Sequence, residues 1–208
     1  MKILICDDHN IVRAGLSQIF LQLKGTTIIE EAGTGNEAIE LLKNNVFDLV
    51  LLDISLPDLN GLEVLQTIKL KWPTTNVLML SMRPQEQYAL RALKLGASGY
   101  LTKDTASEEL LLAVKTVAEG GKYFTREVSK YIVVQLDNDQ PQEKHDILSA
   151  REFEIMIKLA NGKSLQDIGI DLFISNKTVS TYRTRIMEKM KLTNNAELTK
   201  YSMENDLI

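Results

Sequence analysis

Residues 47–53, FDLVLLD, and the stretch that continues them, ISLPDLNGLEVL (54–65), contain an uninterrupted apolar block, Leu49 to Leu52, that ends on a carboxylate, Asp53. A strand with one face in water alternates apolar and polar residues, whereas a strand covered on both faces is continuously apolar. The block therefore predicts a central strand. After a Pro/Asp/Asn/Gly loop, Leu62, Val64, Leu65 and Ile68 return at helical spacing. The unit is strand, loop, helix, with Asp53 at the carboxyl end of the strand.

The same alternation runs through the first 120 residues. Short apolar, β-rich runs occur at ILIC (3–6), TIIEEA (27–32), NVLMLS (76–81) and SGYL (98–101). Between them lie helical patterns marked by Ile11, Leu16, Ile19, Phe20 and Leu23, by Ala38, Ile39, Leu41 and Leu42, by Tyr88, Leu90, Ala92 and Leu93, and by Leu110 to Val117. Five strands alternating with five helices predict a doubly wound parallel sheet covered on both faces. After Gly120-Gly121 a short helix is predicted over 126–136. The polar run DNDQPQEKHD (137–146) then breaks all periodicity and marks a linker. From 147 onward the pattern is helical only, over 149–160, 164–171, 175–190 and 195–204. Ser175 and Thr193 serve as N-terminal signals and Gly162 as punctuation. The expected domains are 1–121, a linker with a short helix over 122–146, and an all-α domain over 147–208.

Composition sets broad bounds. The chain has 208 residues, 44% apolar and 25% charged, with one cysteine and a net charge of -4, as for two ordinary globular domains. No apolar stretch is long enough to span a bilayer, and MKILICDDHN is interrupted by aspartates too early for a signal peptide. Cys6 sits in an apolar run and reads as a small core residue. The expected compartment is a reducing cytoplasm, with no membrane partner. The acidic average hides one basic concentration: residues 175–191 hold Lys177, Arg183, Arg185, Lys189 and Lys191 against Glu188.

In a doubly wound sheet, ligands bind at the carboxyl ends of the strands. The strand assignments place Asp7, Asp8, Asp53, Ser81 and Lys103 at that edge. Three carboxylates forced together repel unless a cation or a proton intervenes, and a hard divalent ion such as Mg²⁺ prefers such oxygen ligands. A carboxylate can also act as a nucleophile toward phosphorus, with a lysine and a hydroxyl binding the transferred oxygens. Asp48 and Asp58 read as ordinary solvated strand-end residues. The two histidines, His9 and His145, stand in no spacing that suggests a metal site or a catalytic dyad.

The second half carries the grammar of a helix-turn-helix: SLQDIGIDL, a short turn, and a capped helix from Ser175. On that helix Val179, Tyr182, Ile186 and Met190 share one side and are expected to pack inward. Lys177, Ser180, Thr181, Thr184 and Glu188 share the other, with Arg183 and Arg185 at its margins. Short polar groups toward base edges and cations toward phosphates are what a recognition helix on double-stranded DNA requires.

Both halves resemble known families. CDDH (6–9), LLDISLPDLNGLEVL (51–65) and GASGYLTKD (96–104) make residues 1–120 similar to a receiver domain. The resemblance implies strand order 2-1-3-4-5, Asp53 as phosphoacceptor, and Mg²⁺ or Mn²⁺ held by Asp7, Asp8, Asp53 and the backbone carbonyl of Ser55. It further implies Ser81 and Tyr100 as the switch pair and Lys103 as the phosphate contact, with Pro57 and Gly61 in the loop after the acceptor. Tyr100 also reads as an ordinary strand aromatic, half buried with its hydroxyl in water. Asp104 departs from the cis-forming proline common after the lysine. LSARE (148–152), Gly162, DIG (167–169), ISNKTV (174–179) and ENDLI (204–208) resemble the LuxR-type helix-turn-helix of NarL/FixJ response regulators. By that resemblance Ser180, Thr181 and Thr184 read bases and Lys177 contacts phosphate, with Arg183 and Arg185 beside them. Gly169 stands where alanine is usual, and Ser180 and Thr184 where lysines are frequent.

The function implied is that of a two-component response regulator. A sensor histidine kinase phosphorylates Asp53, and the phosphorylated protein forms a homodimer on DNA. Such a protein is not an enzyme beyond accepting the phosphoryl group and, at most, slowly losing it. Two alternatives stay open on sequence grounds: a phosphatase of the haloacid-dehalogenase type, and a DNA-binding protein whose first domain is an inert dimerisation module.

Overall fold

In the computed structural model, which describes residues 1–208 apart from 22–27, 83–85, 106, 138–142 and 206, the apolar runs pair as a parallel sheet. Its strands are β1 (Lys2–Cys6), β2 (Ile28–Ala32), β3 (Leu49–Asp53), β4 (Asn76–Ser81), β5 (Gly99–Thr102) and β6 (Tyr123–Phe124), in the order 2-1-3-4-5-6. Helices α1 (Asn10–Phe20), α2 (Gly35–Asn44), α3 (Gly61–Lys71), α4 (Glu86–Lys94) and α5 (Ser107–Ala118) follow the first five strands in turn. Of the expected pattern, Leu23, Thr27 and most of the polar run after Asp137 lie outside the described residues.

Alternation along the strands divides the core. Ile3, Ile5, Leu49, Leu51, Leu78, Leu80 and Leu101 point to one face, where they pack with Leu16 and Phe20 of α1 and with Leu110, Ala113, Val114 and Val117 of α5. Leu4, Val50, Leu52, Val77 and Met79 point to the other and are equally buried. That side is covered by α2, α3 and α4, whose buried residues include Leu42, Leu65, Ile68 and Ala92. Every residue of β3 is buried, as its continuous apolar run requires. Cys6 is a buried core residue whose thiol is pushed well above its ordinary pKa by burial.

Two expectations are revised. The sheet has six strands, not five, because Tyr123 and Phe124 pair with Gly99 and Tyr100. Two residues after a Gly-Gly turn are too few to show periodicity. The segment 122–146, expected as a linker, is divided. Its helix, α6 (Arg126–Asp137), packs on α4, so the first compact unit runs from Met1 to Asp137.

The second compact unit, Asn138–Ile208, holds a 3-10 turn (Lys144–Ile147) and four helices: α7 (Ala150–Ala160), α8 (Leu165–Asp171), α9 (Asn176–Met190) and α10 (Asn195–Glu204). Each helix starts where a side chain satisfies an orphan backbone N–H. Ser149 and Glu152 form a capping box on α7, and Ser164 and Ser175 cap α8 and α9. The cap of α10 is Asn194 rather than Thr193, whose hydroxyl donates to Glu197 instead. His145, from the 3-10 turn, is buried against the Phe153 ring, with its Nδ1 2.9 Å from the Tyr201 hydroxyl. No described helix is long and apolar enough to cross a membrane.

The loop after β3 closes tightly. Ser55 bridges to Asn60, the Gly61 N–H donates to the carbonyl of Ile54, and a Cβ on Gly61 would lie 2.0 Å from the carbonyl oxygen of Asp53. That neighbour is backbone and cannot rotate away. Gly61→Ala is therefore expected to destabilise the first unit by about 2–3 kcal/mol through overpacking. Gly15→Ala, in the exposed middle of α1 with open space around it, is expected to stabilise by up to about 1 kcal/mol. Urea unfolding of the two variants beside the parent checks both signs.

Candidate functional site

β1 and β3 are neighbours, with Cys6 opposite Leu52, so the residues that follow them, Asp7 and Asp53, emerge at the same edge. β5 lies on the other side of β4. Lys103, one residue past β5, donates its backbone N–H to the Ser81 carbonyl at 2.7 Å. Its ammonium reaches Asp7 Oδ2 and Asp53 Oδ2, both at 2.7 Å. All three side chains are almost fully buried.

Burial dominates the electrostatics of this trio. It pushes the Asp53 carboxyl up to about 6, with Lys103 acting in the opposite sense and Asp7 adding to the rise. Burial also works against the Lys103 ammonium, but Asp53 and Asp7 outweigh it and hold its pKa above the ordinary lysine value. Asp8 extends the site outward, with Oδ1 2.6 Å from His9 Nδ1. Asp7 Oδ2 and Asp8 Oδ1 are both buried, and among the described residues their close nitrogen neighbours are Lys103 Nζ and His9 Nδ1.

The donors fit a divalent cation. One atom each from Asp7, Asp8, His9 and Asp53 lies within 4.8 Å of the others, and the three carboxylates there face one ammonium. Receiver domains generally bind Mg²⁺ at such an acidic pocket. His9 belongs to this cluster although its sequence spacing gave no sign of it. It is the N-terminal cap residue of α1, and its N–H donates to Asp7 Oδ1 at 2.9 Å. The signal in the sequence was adjacency to a strand-end aspartate pair rather than a ligand spacing.

Other expected residues fall as follows. Ser81 ends β4 and is buried. Tyr100 is only 1% exposed, which removes the reading of a half-buried strand aromatic with its hydroxyl in water. Asp58 turns back to α2 and accepts from the N–H groups of Gly35, Asn36 and Leu59 at 2.8–2.9 Å. Despite some burial, these bonds hold its carboxyl below the usual range. Asp48 accepts from the Lys2 N–H. Both are therefore structural. Among the described residues there is no cis peptide bond, Lys103–Asp104 included.

The second site is the outer face of α9. Lys177, Ser180, Thr181, Thr184, Arg185 and Glu188 are exposed, while Val179, Ile186, Met187 and Met190 are buried. Met187 takes the inward place expected of Tyr182, which is half buried at the margin. The Thr181 and Thr184 hydroxyls donate to the carbonyls of Lys177 and Ser180, four residues back, leaving their oxygens outward as acceptors. Arg183 is half buried, with its Nε held by Asn195 of α10 at 2.8 Å. The turn before α9 is close: a Cβ on Gly169 would lie 2.8 Å from the Ile174 carbonyl oxygen. Arg151 fixes the same turn by donating to the Leu172 carbonyl at 2.9 Å.

Comparison with known proteins agrees with both halves. Residues 3–115 match the response regulator receiver domain family, and residues 146–202 match the luxR family of bacterial regulatory proteins. The chain is 30% identical over 208 residues to the response regulator UvrY of Escherichia coli, covering 100% of this chain and 95% of that protein. It is 36% identical over 216 residues to the oxygen regulatory protein NreC of Staphylococcus epidermidis, covering 100% and 99%. The solved complex of the two-component response regulator RcsB with DNA is similar with a TM-score of 0.61 at 25% identity, covering 97% of this chain and 96% of that one.

The raised pKa of Asp53 has a measurable sign. Between its ordinary value of 3.8 and about 6, the folded protein holds a proton that the unfolded chain has released, so stability falls as pH rises through that window. In Asp53→Asn this contribution is gone. With chelator present to exclude divalent ions, the stability of Asp53→Asn relative to the parent is expected to be about 2 kcal/mol more favourable at pH 7.5 than at pH 4.5. Equal differences at the two pH values would contradict the assignment.

Proposed function

Because the chain belongs to the response regulators that join a receiver domain to a LuxR-type DNA-binding domain, we propose that Asp53 is its phosphoacceptor and that phosphorylation there controls dimerisation and DNA binding through α9. The protein is a two-component response regulator that regulates transcription by binding DNA. The single observation that carries the residue assignment is the buried Lys103 ammonium held between Asp7 Oδ2 and Asp53 Oδ2. It supports reading Asp53 as a nucleophile beside its own counter-charge.

In the transfer, a carboxylate oxygen of Asp53 bonds to the phosphorus of the donor as the bond to the leaving group breaks. The leaving group is the imidazole of a partner histidine kinase or the acetate of acetyl phosphate. Asp53 attacks in its ionised form, which predominates above its pKa of about 6. Lys103 then neutralises phosphoryl oxygen charge while keeping its contact with Asp7. A divalent cation, Mg²⁺ or Mn²⁺, held by Asp7, Asp8, Asp53 and the Ser55 carbonyl would neutralise further oxygens of the transferred group. Ser81 supplies a hydroxyl at the adjacent strand end, and Tyr100, one strand further, follows its displacement. The phosphoryl group is then lost by slow attack of water on the phosphorus.

The phosphoryl group alters DNA affinity only by favouring one state of the whole molecule over another. On DNA, Ser180, Thr181 and Thr184 present short acceptors to base edges, while Lys177, Arg183 and Arg185 serve phosphates. The RcsB–DNA complex supports this use of α9 by likeness.

Acetyl phosphate with Mg²⁺ is expected to raise the apparent mass of the parent protein in solution toward a dimer and to strengthen its retardation of operator DNA. Asp53→Ala is expected to show neither response. A phosphodonor-dependent change that persists in Asp53→Ala would overturn the mechanism. In salt titrations, Lys177→Ala is expected to weaken binding to all sequences alike and to lower the salt slope by about 1. Thr181→Ala is expected instead to change preference among sequences with the slope intact.

A further inference from the structure

The acidic pocket contains one nitrogen donor that the phosphorylation reading does not use. Three features fix the His9 ring over the carboxylates. The His9 N–H donates to Asp7 Oδ1 at 2.9 Å, which ties its backbone to the buried aspartate. Its extended conformation as the cap residue of α1 sets the direction of the side chain. Its ring Nδ1 lies 2.6 Å from Asp8 Oδ1 and 3.2 Å from Asp7 Oδ1. Nδ1 therefore faces the carboxylates. The side chain is 62% exposed, so the ring is free to adjust by the few tenths of an ångström that a ligand bond requires. One atom each of Asp7, Asp8, His9 and Asp53 already lies within 4.8 Å of the rest. Asp7 is fully buried.

We infer that His9 is a metal-selectivity residue, which gives the acidic pocket a second mode in which it takes an imidazole-preferring divalent ion such as Co²⁺ or Zn²⁺ in competition with Mg²⁺. The chemistry is that of ligand preference. Mg²⁺ is hard, prefers oxygen and keeps several waters, so a neighbouring imidazole adds little to its affinity. Late first-row ions gain from a nitrogen donor and bind mixed nitrogen and oxygen sets more tightly along the Irving–Williams order. Oxygen donors alone serve both classes; His9 serves only the second. An ion held through His9 shares Asp7, Asp8 and Asp53 with the phosphorylation chemistry, so it displaces Mg²⁺ and also occupies the attacking carboxylate. The receiver would then respond to the balance of available metals as well as to its phosphodonor.

This inference rests on the pocket being the divalent-ion site of the receiver, and its test separates the two claims. Calorimetric titration of the protein with Mg²⁺ and with Co²⁺ is done on the parent, on His9→Asn, whose side chain suits a helix N-cap, and on Asp53→Asn. The Co²⁺ absorption spectrum reports nitrogen ligation independently of affinity. For His9→Asn we expect Co²⁺ affinity to fall at least tenfold, with the spectrum changed and Mg²⁺ affinity altered less than twofold. In the parent, Mg²⁺ should shift the Co²⁺ midpoint upward as a competitor. A Co²⁺ affinity and spectrum unchanged in His9→Asn, or equal losses for both ions, would overturn the role of His9 while leaving the pocket assignment standing. Binding of both ions that survives Asp53→Asn unaltered would overturn the pocket assignment and the selectivity claim together.

Discussion

The Lys103 ammonium, buried between Asp7 and Asp53, is the interaction on which the rest of the first domain depends. Taking three charged groups out of water is expensive, and a buried pair of this kind is weak evidence of added stability. Its value lies in what it forbids. Loss of Lys103 would leave two buried carboxylates without their shared counter-charge, at a cost of about 3–5 kcal/mol. The balance is still incomplete. Asp7, Asp8 and Asp53 set three carboxylates against one ammonium. This excess of negative charge suits a divalent cation, and under the proposed function the pocket then carries a phosphoryl group.

The parallel topology is what makes this arrangement available. In strand order 2-1-3-4-5-6, β1 and β3 lie side by side, so two aspartates far apart in sequence end at one edge. The long side chain of Lys103 then crosses past β4 from the far side. The loop after Asp53 is locked by the Ser55–Asn60 bridge and by Gly61 pressed against the Asp53 carbonyl. Asp58, in the same loop, caps α2 from outside. Asp53 is thus held on its own strand and on the loop side. Change on modification is therefore expected on the side of Ser81 and Tyr100, which end or occupy the next two strands.

Much of this was legible in the chain itself. Continuous apolar runs at ILIC and LVLL gave central strands because only strands covered on both faces dispense with polar residues. The carboxylates followed from where those runs stop. On α9 the inward face was read correctly at Val179, Ile186 and Met190, and Met187 was missed because it lies at the border of the apolar stripe where Tyr182 competes. β6 was not visible, since two residues carry no period. Nor was the docking of α6 on α4, which depends on tertiary packing of an otherwise ordinary amphipathic helix. His9 is the instructive miss at the site. Metal-ligand spacings in sequence report ligands that share one helix or loop, whereas this ring joins Asp53 across two strands.

The central claim is that Asp53, and neither of its acidic neighbours, carries the phosphoryl group. Acyl phosphates are reduced by borohydride while free carboxylates are not. After incubation with acetyl phosphate and Mg²⁺, borohydride treatment followed by peptide mass mapping should therefore find the reduced residue at position 53 and leave Asp7 and Asp8 intact. Reduction at Asp7 or Asp8 with position 53 unmodified, or no reduction anywhere, would contradict the account.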